Sequence, residues 1–386
     1  MNEALLSAGA SLQPEMVRWF EELHQMPEVA MEEEKTSAYV AARLREFGYQ
    51  VEEGIGRLGM VATLQHGDGK KILGIRGEFD ALPIEEVNDL PYKSRVPGKS
   101  HLCGHDAHTT MVLGAAKYLA EHRDFNGTLR FIMQPGEETM QGSTAMIQDG
   151  LFARFPVDVI FAMHNLPKLE KGKFFFHPGP TMASVDNWDI HIAGKASHGA
   201  NPEMGLDPIV CGASMVLAFQ TIVSRNVAPL NASVITVGAF NAGNSNNSVA
   251  GQAELKLTIR NMDDADRKLV LDRVRTVVRT QAESFGCQAH IKEGQPGTVL
   301  VNNAQWLEWA HGVAAATFGD DQAVLPGPRY MNSEDFAFML QRVPGCYIML
   351  GAGDVPMVHN PGFIFDPALL QRGCALWIAI AHAYLK

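Results

Sequence analysis

"KKILGIRGEFDALP", residues 70–83, reads as a short apolar run that ends in an acidic turn and a proline. Three further stretches repeat the pattern. "GTLRFIMQPGEE" (127–138) breaks at Pro135-Gly136 and then carries two glutamates, "DVIFAMHNLP" (158–167) ends near His164, and "CYIMLGAGDVPMVHNPGF" (346–363) leads on to His359. Helical patterns lie between these runs. "HTTMVLGAAKYLAEHRDF" (108–125) puts Met111, Val112, Ala115, Ala116 and Leu119 on one face, and residues 333–343 and 366–384 read the same way. Strands alternating with helices imply an α/β fold with a largely parallel sheet covered on both sides.

The polar residues are not scattered in that frame. Asp80, Glu137, Glu138 and His164 are expected just beyond the C-terminal ends of their strands, and His359 in a loop after another. Ligands of open α/β sheets bind along that rim.

The middle of the chain changes character. "VDNWDIHIAG" (185–194) reads as a strand and "DPIVCGASMVLAFQTIVSR" (207–225) as a helix. "ASVITVGAFNAG" and "QAELKLTIR" form two strands around an Asn/Gly/Ser turn. The amphipathic helix "DADRKLVLDRVRTVVRTQAESFG" and the strand "CQAHIKE" complete the series. The order β-α-β-β-α-β is that of a ferredoxin-like unit. The expected organisation is therefore a catalytic domain over 1–184 and 294–386, interrupted by a smaller α+β domain over 185–293.

Composition narrows the functional classes. With 386 residues, 46% hydrophobic and 19% charged, the chain is globular and long enough for more than one core. A formal net charge of −11 disfavours nucleic acid and favours small-molecule or protein partners. The first residues carry an early Glu and lack a basic region followed by a long apolar core, so no secretion signal is expected. The apolar run "CALWIAIAHAYL" is too short to span a bilayer, and no membrane partner is expected. Five widely spaced cysteines, an odd number, suit a reducing cytoplasm rather than a disulfide framework. Four of them sit in apolar surroundings, whereas Cys103 lies between His101 and His105 in "HLCGHDAH".

That segment could be a metal site, a cysteine nucleophile with its base, or a polar loop rich in histidine. Taken singly, a loop histidine such as His164 or His359 is more often a hydrogen-bonded residue than a ligand. A pair of glutamates after a turn is usually a solvated helix start. The joint pattern favours metal. Cys103, His105, Glu138, His164 and His359 supply thiolate, imidazole and carboxylate donors, which suit zinc and leave manganese, cobalt and nickel open. Five donors exceed what one closed tetrahedral site needs, so two divalent ions sharing a bridging group are expected. Adjacent side chains diverge, so Glu137 is expected to face the attacking water as general base while Glu138 binds metal. His101 and His108 are expected to support or cap.

"RGEFDALP", "HLCGHDAH", "QPGEE", "AMHNLP", "GKASHGANPEMGLDP", "NSEDF" and "HNPGF", in that order, resemble the amidohydrolase branch of the zinc-dependent aminoacylase/carboxypeptidase family. The resemblance implies hydrolysis of N-acyl amino acids by the same five ligands, with Glu137 the base and Asp80 steadying the metal site. It further implies that His198, on an inserted lid, polarises the scissile carbonyl, that Asn247 and Arg260 hold substrate, and that the protein forms a homodimer through the lid. Glu78 stands where many of that family carry Asp. Other expectations to be weighed are a dipeptidase- or aminopeptidase-like metallohydrolase, a cysteine hydrolase built on Cys103, and a catalytically silent metal-binding scaffold.

Overall fold

A computed structural model describes residues 3–386, and the chain divides into two compact units. The first comprises residues up to Gly179 with Val301–Pro328 and Asp335–Lys386. The second comprises Pro180–Leu300 with Arg329–Glu334.

The first unit is built on an eight-stranded sheet. In spatial order the strands are Gln50–Ile55, Gly59–His66, Gly127–Gln134, Ile72–Glu78, Val159–Pro167, Gly345–Gly353, Phe174–Phe175 and Ala323–Val324. The central four run parallel, while the 50–66 hairpin joins antiparallel at one edge. Ile75 pairs with Phe131 on one side and Phe161 on the other, and all three are fully buried. That two-sided burial is why these strands read as continuous apolar runs rather than alternating ones.

The helix His105–His122 buries more than the single face the sequence suggests. Ala107, Leu113 and Ala120 are interior along with Met111, Val112, Ala115, Ala116 and Leu119. It lies between the strand 72–78 and the C-terminal helix Leu370–Tyr384, so it has little solvent face left.

Two expectations are corrected. His164 lies within its strand, because pairing with the 345–353 strand continues through His164↔Met349 as far as Pro167. The helix expected over 333–343 shrinks to Phe336–Leu340. Asp335 is fully buried and accepts hydrogen bonds from Ser143 N–H (2.9 Å), Gln134 Nε2 (2.7 Å) and Arg76 Nη2 (3.2 Å), which tether the chain before a longer helix can form. The sequence reading also assigns nothing to residues 13–66, which form the helices Gln13–His24 and Glu34–Glu46 and the edge hairpin.

The second unit has the expected β-α-β-β-α-β order. Its antiparallel sheet runs Ser233–Ala242, Gln252–Asn261, Ser184–Ala193, Gln288–Glu293, with helices Pro208–Asn226 and Asp264–Ser284. Strict alternation along 252–261 sends Ala253, Leu255, Leu257 and Ile259 inward, against Cys211, Met215 and Phe219 of one helix and Val270 and Val274 of the other. Asp207 and Asp263 cap the two helices, each accepting two backbone N–H bonds of the first turn. The unit extends beyond 185–293 because Ala183 N–H bonds to Asn332 O (2.8 Å) and Tyr330 N–H to Thr181 O (3.0 Å). Helix 208–226 is long and apolar enough to cross a membrane by length and composition, with a mean hydropathy of 1.3. Its Cys211, Met215, Phe219 and Ile222 are nonetheless packed in this core.

Candidate metal centre

Residues 101–108 are interior, not the polar surface turn that their composition suggests. Gly104, at φ +97°, reverses the chain, and His105 opens the helix behind it. His105 Nδ1 lies 2.9 Å from Asp80 O and 3.1 Å from Asp80 Oδ1, both acceptors, so the ring proton is assigned to Nδ1. The Nε2 lone pair is then presented to the site, with Glu137 Oε2 and Glu138 Oε1 each 3.9 Å away. Burial opposes a charge on this ring, but the Asp80 hydrogen bond and the surrounding carboxylates raise its pKa to about 10, so with no metal bound a second proton takes Nε2, the position an ion would otherwise fill. That is the behaviour of an imidazole set in a field built for a cation.

The two glutamates sit on a turn clamped from both sides. Gly136 adopts φ +59° and donates its N–H to Glu33 Oε1 (2.8 Å), while Glu138 N–H donates to Asp80 Oδ2 (2.9 Å). Asp80 therefore orients one imidazole and one glutamate at once. The expectation that the neighbouring carboxylates diverge is corrected. Turn geometry replaces strand geometry here, and both carboxylates converge with His105 so that their ligand atoms lie within 4.8 Å of one another. Glu137 is buried and Glu138 nearly so.

Cys103, Glu138 and His359 form a second such group within 4.8 Å. His359 Nε2 lies 3.2 Å from Glu138 Oε2, and Cys103 Sγ lies 3.3 Å from His164 Nε2. His164 Nδ1 donates to Asn165 O (2.5 Å), again leaving Nε2 for the site. His359 has the left-handed φ of +67° and is tied to the histidine-rich segment through its N–H to Leu102 O (2.8 Å). A non-glycine residue held there is strained, and such strain clusters at functional sites. The structure thus brings together all five expected ligands, with Glu137 and Asp80.

The donor set fits divalent metal. His105 Nε2 and Glu138 Oε1 are buried polar atoms with no hydrogen-bond partner among the described residues. An ion between them would satisfy both, which otherwise carry the cost of unpaired burial. The same surroundings speak against a cysteine nucleophile. Burial first, then the Glu138 and Glu137 carboxylates, push the Cys103 thiol well above its ordinary pKa. A catalytic thiolate needs an electropositive setting. Only a cation among these carboxylates would stabilise the thiolate, and the thiolate is then a ligand.

The remaining candidates belong to the second unit. His198 is exposed in the short ribbon Ser197–His198/Ser248–Val249, and its Nδ1 accepts from Ala200 N–H at 3.0 Å. Asn247 precedes the other strand of that ribbon, and its carbonyl accepts from Gly199 N–H at 2.7 Å, so these two are brought together. Arg260 is half-buried on strand 252–261. It does not pair with Asp263, whose carboxylate is spent on the helix cap, and donates to Met331 O (2.9 Å) and Ser333 Oγ (3.3 Å). Sequence reasoning assigns no role to Glu33 or to Asn165, which act through backbone groups far away in the chain.

The fold and the site define a class: α/β proteins that gather thiolate, imidazole and carboxylate donors on the rim of a parallel sheet, with a further carboxylate beside the ligands. Comparison with known proteins specifies it. Residues 74–383 match the model of peptidase family M20/M25/M40, and the chain belongs to that family. It is 38% identical to the hippurate hydrolase of Campylobacter jejuni over 375 residues, covering 97% of this chain and 98% of that one. It is 34% identical to an N-acetyl-L-cysteine deacetylase of Bacillus subtilis, covering 94% and 86%. Among solved structures, the Bacillus subtilis YXEP protein, a dinuclear metal-binding peptidase, superposes with a TM-score of 0.82 at 29% identity, covering 97% of this chain and 99% of that one.

Proposed function

We propose that this chain is a metal-dependent amidohydrolase that cleaves the amide bond of N-acyl amino acids to a carboxylate and a free amino acid. The observation that carries it is the convergence of Glu137 and Glu138 on the Nε2 lone pair of His105, beside Cys103, His164 and His359. The ligands Cys103, His105, Glu138, His164 and His359 would hold two divalent ions, zinc by donor type, with manganese, cobalt or nickel as substitutes. Bound there, such ions polarise a carbonyl and acidify water.

The residues supply the rest. Glu137 takes the proton of the attacking water and passes it to the leaving amine. Asp80 keeps His105 in the tautomer that presents Nε2 and fixes the turn that carries both glutamates. His198 polarises the scissile carbonyl, and Asn247 and Arg260 hold the substrate's polar end. In this reading the second unit acts as a lid and as the surface of a cytoplasmic homodimer. The partly exposed Ile209, Val210 and Leu217 on helix 208–226, together with the unpaired edge of strand 233–242, support that role.

The test is a substrate screen on metal-reconstituted protein with N-acetyl, N-benzoyl and indole-acetyl amino acids, alongside unblocked dipeptides. Hydrolysis of blocked amino acids in preference to dipeptides is expected. Preference for dipeptides would assign a peptidase instead.

A further inference from the structure

His101 and His108 are the members of the histidine-rich segment that the reaction leaves unused, and His108 is buried with both its ring nitrogens engaged. Nδ1 lies 2.5 Å from Glu78 Oε1, and Nε2 accepts the backbone N–H of Asn165 at 3.0 Å. Because Nε2 is an acceptor, the ring proton sits on Nδ1 and is donated to Glu78. Glu78 is in turn fixed by Arg76 Nη1 (2.5 Å), and Arg76 also donates to Gln134 Oε1 (2.9 Å).

Asn165 stands where this array meets the metal centre. Its side-chain Nδ2 donates to Cys103 O (2.9 Å), and its own carbonyl takes the Nδ1 proton of His164 (2.5 Å). One residue thereby touches two of the five ligands while its backbone is pinned by His108. The packing around it is tight: a Cβ on Gly104 would stand 2.1 Å from Asn165 Oδ1, so the turn carrying Cys103 and His105 closes on this amide.

We propose that His108 and Asn165 are positioning residues that set the distance and angle between the Cys103 and His164 donors before metal arrives, with Glu78 and Arg76 as their anchor. The inference rests on the metal reading above. The alternative, that His108 is itself a ligand in the cluster Glu78, His105, His108 and His164, fails on the hydrogen bonds, since neither ring nitrogen keeps a lone pair for an ion. Partners that orient ligands typically change metal affinity by about 10–100-fold when removed.

The experiment measures zinc dissociation constants by chelator competition, and Cys103 alkylation at saturating zinc, for wild type, Asn165→Leu, His108→Leu and His108→Gln. Leu matches the branching of Asn without its donor, and Asn165→Ala replaces it if the Leu variant does not fold. Asn165→Leu and His108→Leu should bind zinc about 10–100-fold more weakly and leave Cys103 more open to alkylation. His108→Gln, whose amide oxygen can take the Asn165 N–H, should recover part of the loss. Wild-type affinity and protection in both Leu variants would overturn the proposal. So would a wild type whose zinc stoichiometry falls by one ion in His108→Leu, because His108 would then be a ligand. A wild type that takes up no zinc would overturn the metal reading along with this one, whereas unchanged variants of a zinc-binding wild type sink this inference alone.

Discussion

Glu137 and Glu138 are chemically alike, and their surroundings separate them. Glu138 has one oxygen toward His105 and the other toward His359, while Glu137 meets the site from the His105 side. Glu137→Gln should retain metal and lose about 10²-fold or more in kcat, the range of a missing general base. Glu138→Gln should lower metal occupancy, and metal content with single-turnover rates separates the two. The five donors were legible from residue type because few side chains bind borderline metals. Asp80 was legible only as a position, since its work is done through hydrogen bonds to His105 and the Glu138 amide. His24 was not legible at all. It is buried between Asp106 (2.7 Å) and Glu86 (3.3 Å), with a pKa raised to about 9. Burial opposes its charge, but the two carboxylates outweigh it. A group whose pKa rises on folding stabilises below its unfolded value of 6.5, and the contribution is lost as pH climbs through about 9. The stability difference between wild type and His24→Gln, read by urea titration, should therefore shrink between pH 6.5 and 9, by on the order of 3 kcal/mol. A difference that does not change with pH would contradict the charged triad.

At the scale of elements, the parallel strands were readable because burial on both faces leaves long apolar runs, and their C-terminal ends gather the chemistry. Positions within a strand were harder. His164 reads as lying past a strand end and is paired inside one, because the length of pairing is set by the neighbouring strand. Residues 333–343 carry a helical pattern, yet Asp335 is drawn inward by three side-chain or backbone donors that lie far away in sequence. The second unit was the more legible because its strand alternation and Asp caps are local signals. Asp263→Ala removes both first-turn bonds of helix 264–284 and should cost that helix about 1 kcal/mol. A shift in urea midpoint at unchanged slope would show it. An unchanged midpoint would mean that water replaces the cap without loss.

At the scale of the whole molecule, the five proposed ligands with Glu137 belong to one compact unit, and His198, Asn247 and Arg260 to the other. If His198 polarises the carbonyl, His198→Ala should lower kcat by about 10²-fold, the effect of one lost oxyanion donor, at unchanged metal content. Loss of metal in that variant would make His198 a ligand. Light scattering should find about twice the 42.2 kDa chain mass, and a lone 42.2 kDa species at micromolar concentration would refute the homodimer. Metal-dependent amide hydrolysis remains the claim on which the rest depends. Protein stripped with chelator and assayed on an N-acyl amino acid should be inactive, and should recover as zinc or manganese is added back, levelling near two ions per chain. Full activity of the metal-free protein, abolished instead by alkylation of Cys103, would contradict it.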